Sequence, residues 1–209
     1  MNLKNYYWYF QSVLPRHLCD DIIKYGLSHT KQTAIVGEME ENLQKKPLTN
    51  TETKALKKIR NSSVAWLHDP WISKEFYPYL HQANSSSGWN FEFDYCESIQ
   101  FTHYQLNQHY DWHRDSNEKP YVDHANKNFN GKIRKLSMTI SLSDATEYEG
   151  GEFEFNFLNK LKSKSYICNE IKPKGSIVVF PSFIHHRVRP VTAGTRYSLV
   201  CWMLGRPFK

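Results

Sequence analysis

The stretch YQLNQHYDWHRDS, from Tyr104 to Ser116, sets two histidines, two aspartates and three large aromatic side chains within thirteen positions. His113 and Asp115 stand two apart. On a β-strand alternate residues face the same way, about 6.6 Å apart along the chain, so both side chains can converge on one ion. An imidazole and a carboxylate are a pair that divalent transition metals accept. Two ligands do not make a site, and a His-x-Asp step on its own usually means two surface residues. A third ligand must come from elsewhere in the chain.

Around this stretch the texture is that of short strands. After Trp89 come ESIQFTHYQL, RKLSMTISLSD, GEFEFNFL, KSYICNEIK, GSIVVF, HHRVRPV and TRYSLVCWML, many of them alternating and separated by turn signals such as EGG and KPKG. Strands in series with no helix between them point to a sandwich, jelly roll or barrel rather than a parallel α/β sheet. The first 88 residues read as a helical support region and 89–209 as a β core, the whole as one domain. LPRHLCDDIIKYG predicts a helix with Pro15 in its first turn, Leu18, Ile22 and Tyr25 on one face and Gly26 at its stop. Residues 28–54 read as loop-rich. TETKALKKIRNSS predicts a short helix with Ala55 and Ile59 turned inward. DPWISKEFYPYLHQAN predicts a third, capped by Asp69 and kinked or broken at Pro78. The polar insert from Ser116 to Lys132 directly follows the opening stretch and is a candidate substrate lid.

Composition bounds the setting. Apolar residues are 40% and aromatics 15% of the 209 positions, a globular and β-leaning balance. Cys19, Cys96, Cys168 and Cys201 form no C-x-x-C pair. The first residues lack an apolar signal region and no run is long enough to span a membrane, so the expectation is a soluble, cytoplasmic protein. The net charge of +6 comes from small groups, such as Lys54, Lys57, Lys58 and Arg60, rather than one stripe, which argues against a nucleic-acid partner.

For the third ligand, His185 and His186 fall between the apolar GSIVVFPSF and a Val-Pro-Val segment. Periodicity leaves the choice between them open. Two histidines and one carboxylate would leave open positions on an octahedral metal, the arrangement of non-haem iron(II) oxygenases. Arg196 follows at the start of an apolar strand, sharing a face with Ser198 and Trp202. A buried Arg is costly unless paired. Its partner is either an internal Asp or Glu or a small dicarboxylate ligand held by the guanidinium fork with help from the Ser198 hydroxyl.

With these residues in place the chain resembles the iron(II)- and 2-oxoglutarate-dependent oxygenases, most closely the prolyl hydroxylase branch with its bacterial PKHD-type members. That family's Tyr-x-x-Gly-Gln-x-Tyr-x-x-His-x-Asp is similar to Tyr104, Gln108, Tyr110, His113 and Asp115, with Asn107 in place of the Gly; Asn is the least surprising substitute where a left-handed backbone is required. Gly150, Gly151 and Glu152 resemble its Gly-Gly-Glu step. His186, Val188, Pro190 and Val191 resemble its His-x-Val-x-Pro-Val and select His186 over His185. Gly194, Arg196 and Trp202 complete the series.

The resemblance implies a double-stranded β-helix, a jelly-roll variant, with Fe(II) on His113, Asp115 and His186. It implies 2-oxoglutarate as cosubstrate, its far carboxylate on Arg196 with Tyr104, Ser198 and Ser137 assisting, and O2 as oxidant; ascorbate belongs to the same expectation. Ser141 stands where many prolyl hydroxylases have Tyr, which would open that part of the pocket. Asp111 would either turn outward or hydrogen-bond a ligand histidine. The implied reaction is hydroxylation of an unactivated C–H bond with conversion of 2-oxoglutarate to succinate and CO2. The implied partner is a peptide or protein containing proline, with Trp112, Tyr121, Trp202 and Arg60 as candidate substrate contacts. The alternatives are a free amino acid or other small molecule, a nucleic-acid oxygenase and a metal-binding module without turnover. The run TRYSLVCWMLGR lacks the Asn and Thr of the nucleic-acid dealkylating relatives, and the intact ligand set with Arg196 argues against a silent module.

Overall fold

The computed structural model describes residues 5–29, 32–33, 49–157 and 165–208. The N-terminal part holds β1 (Trp8–Phe10), α1 (Arg16–Ser28), β2 (Gln32–Thr33), α2 (Asn50–Ile59), β3 (Arg60–Asn61), β4 (Ser63–Leu67) and α3 (Pro70–Ser86). Then come β5 (Tyr95–Cys96), β6 (Ile99–Tyr104), β7 (His109–His113), β8 (Ile133–Ser141), β9 (Tyr148–Gly150), β10 (Phe153–Asn156) and β11 (Tyr166–Ile167). The chain closes with β12 (Ile177–Pro181), β13 (His185–Val188), β14 (Val191–Gly194) and β15 (Arg196–Gly205).

The larger sheet runs β1-β12-β8-β15-β6-β4-β2, with β5 also on β15; the smaller runs β11-β10-β13-β7-β3; β9 and β14 pair separately. Successive core strands alternate between the two main sheets: β6, β8, β12 and β15 in one, β7, β10 and β13 in the other. This is the double-stranded β-helix, mainly antiparallel β with helices packed outside.

The side-chain parity of the larger sheet explains what lies between the sheets. Ile99, Phe101, Leu136, Met138, Ile140, Ile177, Val179, Leu199, Cys201 and Met203 join Ile22, Ile72, Phe76 and Leu80 of the helices in one apolar core. The residues between them point the other way, toward the smaller sheet. Tyr104, Val178 and Phe180 there meet Phe153, Phe155 and Val188 in a second core. The rest of that inner face is polar yet buried: Gln100, Thr102, Ser137, Thr139, Ser141, Arg196 and Ser198. Buried polar groups need partners; Gln100 meets Arg60, Ser137 meets Ser182 and Arg196 meets Ser198, while Thr102 Oγ1 has none among the described residues.

The N-terminal third departs from a purely helical region. β1 extends the larger sheet at β12, β4 pairs with β6, and β3 pairs with β7 of the smaller sheet. These strands are short and β4 is buried on both faces, so it shows no clean alternation. The loop-rich reading of residues 28–54 lies largely outside the described residues.

Helix α2 starts with a capping box between Thr49 and Glu52. Its buried residue is Leu56; Ala55 and Ile59, expected inward, are exposed. The turn of about 100° between neighbouring helical residues carries the buried stripe past Ala55. Helix α3 runs through Pro78 without interruption. Pro78 is exposed while Ile72, Phe76, Leu80 and Ala83 are buried. The carbonyl left without its helical donor therefore faces water, and the buried stripe offsets the cost of the proline. Asp69 stands at the N-cap of α3 without a capping bond; its carboxylate accepts the Tyr25 hydroxyl at 2.8 Å instead.

Gly26 is not a helix stop. It lies inside α1, buried, and a Cβ there would meet Phe101 ring carbons at 2.5 to 2.7 Å. Gly26→Ala is therefore expected to destabilise the fold by about 1–3 kcal/mol through overpacking. A lowered urea midpoint with an unchanged slope would register it.

Candidate active site

β7 and β13 pair antiparallel with His113 opposite His186 and Tyr110 opposite Val188, the register slipping between the two pairs. The slip is a bulge. It keeps both Tyr110 and His113 on the inner face, their rings stacked with centroids 3.4 Å apart. Asp111 and Trp112 turn outward, where the Trp112 ring lies 4.6 Å under the Arg187 guanidinium carbon. Beyond β7, the Asp115 and Ser116 amides both donate to the Ser182 carbonyl, at 2.9 and 3.0 Å. This ties Asp115 to the chain just after β12.

The three expected metal ligands converge. His113 Nε2 lies 3.6 Å from Asp115 Oδ1, and His186 Nε2 lies 3.5 Å from Asp115 Oδ2. All three ligand atoms fall within 4.8 Å of one another. Each histidine is fixed from behind: His113 Nδ1 donates to the Asp111 carbonyl at 2.8 Å and His186 Nδ1 to the Ile184 carbonyl at 2.9 Å. These bonds assign the tautomer that leaves Nε2 as the free lone pair. Asp111 thus serves the ligand histidine through its backbone while its half-exposed carboxylate lies 3.9 Å from Arg187 Nη1 on the outer face.

Burial, with His186 alongside, pushes His113 well below the ordinary histidine range, so its ring is neutral. Burial acts to raise Asp115, but His186, His113, Arg134 and the Ser137 hydroxyl hold it below the usual carboxylate value. A neutral imidazole lone pair thus faces a carboxylate at a distance too long for a hydrogen bond. Asp115 Oδ2 is buried without a hydrogen-bond partner among the described residues. Converging lone pairs in a dry site are unfavourable until a cation sits among them, and two His with one carboxylate suit iron(II).

Arg196 sits opposite Tyr104 across β15 and β6, 2% exposed. Its Nη1 donates to Ser198 Oγ at 3.2 Å and its guanidinium carbon lies 5.5 Å from the Tyr104 ring centre. Among the described residues no acidic side chain pairs with it. Next to Ser198 in register is Thr102, whose Oγ1 is also buried without a partner. The glycine pair makes room here: a Cβ on Gly151 would meet Arg196 Cδ at 3.1 Å, and one on Gly150 would strike the Pro190 carbonyl at 2.3 Å. Both have positive φ, 69° at Gly150 and 61° at Gly151, and Asn107 takes φ 62° in the turn between β6 and β7. Ser141 lies opposite Ser198, buried, its hydroxyl donating to the Ser143 carbonyl. Ser137 is not brought to Arg196. It pairs with Trp202 toward the other end of β15, and its hydroxyl meets Ser182 at 2.9 Å on the Asp115 side.

Of the four candidate substrate contacts, Arg60 and Trp202 lie on the inner face, Trp112 does not, and Tyr121 stands in the insert, where it acts on the charge of Arg134. Arg60 lies 4.4 Å over the Tyr110 ring and donates to Ser62 and Gln100. Trp202 is buried, with Arg134 stacked 4.0 Å over it and its Nε1 without a partner among the described residues. Arg134 is clamped by both Glu97 oxygens at 2.6 Å. Burial works against that cation, but Glu97, Tyr121 and Asp115 outweigh it. The insert from Ser116 to Lys132 folds back on itself, with backbone bonds between Tyr121 and both Gly131 and Lys132. Phe129 within it packs edge-on to Tyr121 and Tyr95.

Tyr110, Glu97, Arg134 and Thr102 were given no role in the sequence reading. A charge standing in the otherwise alternating strand KIRKLSMTI was the available signal for Arg134.

A family model for the 2OG-Fe(II) oxygenase superfamily matches residues 99–204. A PKHD-type hydroxylase of Synechococcus sp. (strain CC9902) is 35% identical over 107 residues, 51% of this chain and 40% of that protein. The chain thus spans less than half the length of the curated relatives it matches. A viral collagen prolyl hydroxylase from Paramecium Bursaria Chlorella virus-1, crystallised with 2OG, superposes with a TM-score of 0.61 at 19% identity, covering 96% of each chain. A prolyl hydroxylase from Trichoplax adhaerens, crystallised with a hypoxia inducible factor peptide fragment, superposes with a TM-score of 0.62 at 15% identity, over 95% of this chain and 83% of that one. These structures share the fold, and the sequence match over the strands that carry both histidines, the aspartate and the arginine shows that the chain belongs to the 2OG-Fe(II) oxygenase superfamily.

Proposed function

We propose that this chain hydroxylates a prolyl residue of a peptide or protein, consuming 2-oxoglutarate and O2 and releasing succinate and CO2. The observation that carries the reading is the division of the buried inner face into two polar ends. One end holds Arg196 with Ser198, Tyr104 and Thr102 and no acid to neutralise the guanidinium among the described residues. The other holds Arg60, Glu97, Arg134 and Trp202.

His113, Asp115 and His186 would hold the iron. When bound, iron with 2-oxoglutarate and O2 supplies the oxidant that removes hydrogen from an unactivated C–H bond. The remaining tasks fall to the protein. The backbone carbonyls of Asp111 and Ile184 keep both imidazoles aimed with Nε2 forward. Arg196 receives a carboxylate as a charge-assisted fork, and its burial keeps water from competing. The apolar rings of Phe153 and Phe180 beside His186 exclude water from the metal side.

On the substrate side the cations are already engaged: Arg134 by Glu97, Arg60 by Ser62, Gln100 and the Tyr110 ring. A free amino acid would require an available fixed charge for its own carboxylate. A neutral peptide backbone instead suits a polar wall with satisfied charges, the unpartnered Trp202 Nε1 offering a donor. The relatives crystallised as prolyl hydroxylases, one with a peptide, support this choice.

The test is turnover with iron(II) and 2-oxoglutarate on proline-rich peptides, free amino acids and oligonucleotides. The expected outcome is a peptide that gains the mass of one oxygen in step with succinate. Oxygen gain on free amino acids alone would replace the peptide reading with the small-molecule one.

A further inference from the structure

Behind His186 an aromatic chain crosses the inter-sheet core to the edge of the larger sheet. Its ring centroid is 4.7 Å from Phe180; Phe180 is 5.2 Å from Phe155; Phe155 is 5.1 Å from Tyr7. A parallel branch runs through Phe153, 5.6 Å from His186 and 5.0 Å from Phe155. Tyr7 is 3% exposed and ends in a polar cluster that the proposed reaction does not use. Its hydroxyl lies 3.1 Å from both Tyr166 Oη and Glu170 Oε1, and Tyr166 Oη lies 3.1 Å from the same carboxylate oxygen. Glu170 Oε2 is buried without a hydrogen-bond partner among the described residues. Two tyrosine rings lie beyond Tyr7: Tyr166 at 5.9 Å, half-buried and on the same carboxylate oxygen, and Tyr9 at 6.2 Å, 45% exposed.

We infer that Tyr7, with Glu170 as its proton acceptor, is a one-electron donor site that discharges oxidising equivalents left at the metal site when no substrate is present to take them. Phenol oxidation loses an electron and a proton together, and a carboxylate hydrogen-bonded to the hydroxyl receives the proton without separating charge. One electron leaves the Tyr7 ring toward His186 through Phe155 and Phe180. The O–H bond breaks and the proton forms a new O–H on Glu170. A neutral phenoxyl radical and a neutral carboxylic acid remain, and an external one-electron reductant of the enediol or thiol class restores both by way of Tyr9.

Tyr110 is nearer the metal ligands, but its surroundings oppose the same role. The Arg60 guanidinium over its ring disfavours removal of an electron. Among the described residues no hydrogen bond joins its hydroxyl to a carboxylate, whereas Tyr7 has one to Glu170. Phe at positions 153, 155 and 180 is itself hard to oxidise, so Tyr7 is the first ring on this path from His186 that can hold the radical, with Tyr166 beyond it on the same carboxylate.

The inference rests on the metal site and not on the peptide substrate. Protein grown with ring-deuterated tyrosine is loaded with Fe(II), given 2-oxoglutarate and O2 without peptide, and freeze-quenched for electron paramagnetic resonance. A tyrosyl signal narrowed by deuteration is expected. Tyr7→Phe, which keeps the ring, should abolish it. Glu170→Gln should slow its appearance by about tenfold or more, the worth of a hydrogen bond to a charged acceptor. A second arm replaces 2-oxoglutarate and O2 by hydrogen peroxide on the same Fe(II) protein, so that a chain that fails to consume 2-oxoglutarate is still tested. Absence of succinate in the first arm counts against the proposed reaction alone. A radical that persists in Tyr7→Phe, or iron oxidation in both arms with no tyrosyl radical, overturns the inference.

Discussion

His186→Ala is expected to abolish tight iron(II) binding and all 2-oxoglutarate consumption, while His185→Ala leaves iron affinity within a few-fold of the parent. The two residues are neighbours on β13 and face opposite ways. His186 is 5% exposed, its Nε2 aimed at Asp115 and its Nδ1 held by the Ile184 carbonyl. His185 lies opposite Asn156, half-buried, on the outer face. Loss of even an outer partner of a metal ligand costs about 10–100-fold in affinity, so loss of the ligand itself should exceed about a hundredfold. Isothermal titration of the metal-free protein with Fe(II) under anaerobic conditions separates the two variants. Equal losses for both would mean that His185 can swing inward, and the assignment of the third ligand would fail.

This pair also shows what a sequence can and cannot reveal. The His113-x-Asp115 step is legible because strand periodicity puts alternate side chains on one face. His186 was reached only through its motif, since parity alone treats adjacent residues as alternatives. The same parity rule fails within β7 itself. The bulge between β7 and β13 admits Tyr110 beside His113 and ejects Trp112, which strict alternation from Tyr110 would have kept inside. Arg196 is legible as a charge opening an apolar strand, while Ser137, on the neighbouring β8, is carried by register toward Asp115 rather than to Arg196. Glu97 and Arg134 acquire meaning only when the β5–β6 and β8 segments meet, and Tyr7 and Glu170 lie 163 positions apart. Such pairs carry no local signal, because each partner taken alone is an ordinary charged or aromatic residue. The N-terminal strands were missed for a related reason. Segments of two to five residues are too short to show a period, and β4, buried on both faces, has none to read.

Arg196→Met is expected to separate stability from function. In the free protein the guanidinium is 2% exposed, with one hydrogen bond to Ser198 and no acidic partner among the described residues. A buried charge so placed opposes folding, and an apolar side chain of similar volume is often neutral or stabilising by about 1–4 kcal/mol. The Met variant should therefore melt at or above the parent temperature in the absence of 2-oxoglutarate. Its use of 2-oxoglutarate should collapse, because truncating one partner of a buried hydrogen-bonded charge pair costs about 2–5 kcal/mol, or roughly 30- to several thousand-fold in KM or Kd. Addition of 2-oxoglutarate with a redox-inert divalent metal should raise the parent's melting temperature and leave the variant's unmoved, since a ligand stabilises only the state it binds. Arg196→Lys tests the fork itself. It retains the charge as a point ammonium without the paired donors, so intermediate affinity is expected if bidentate geometry matters and near-parent affinity if charge alone does. A Met variant that loses several degrees of stability while still consuming 2-oxoglutarate would show that Arg196 is a structural cation, and the carboxylate site would have to be sought elsewhere on the inner face.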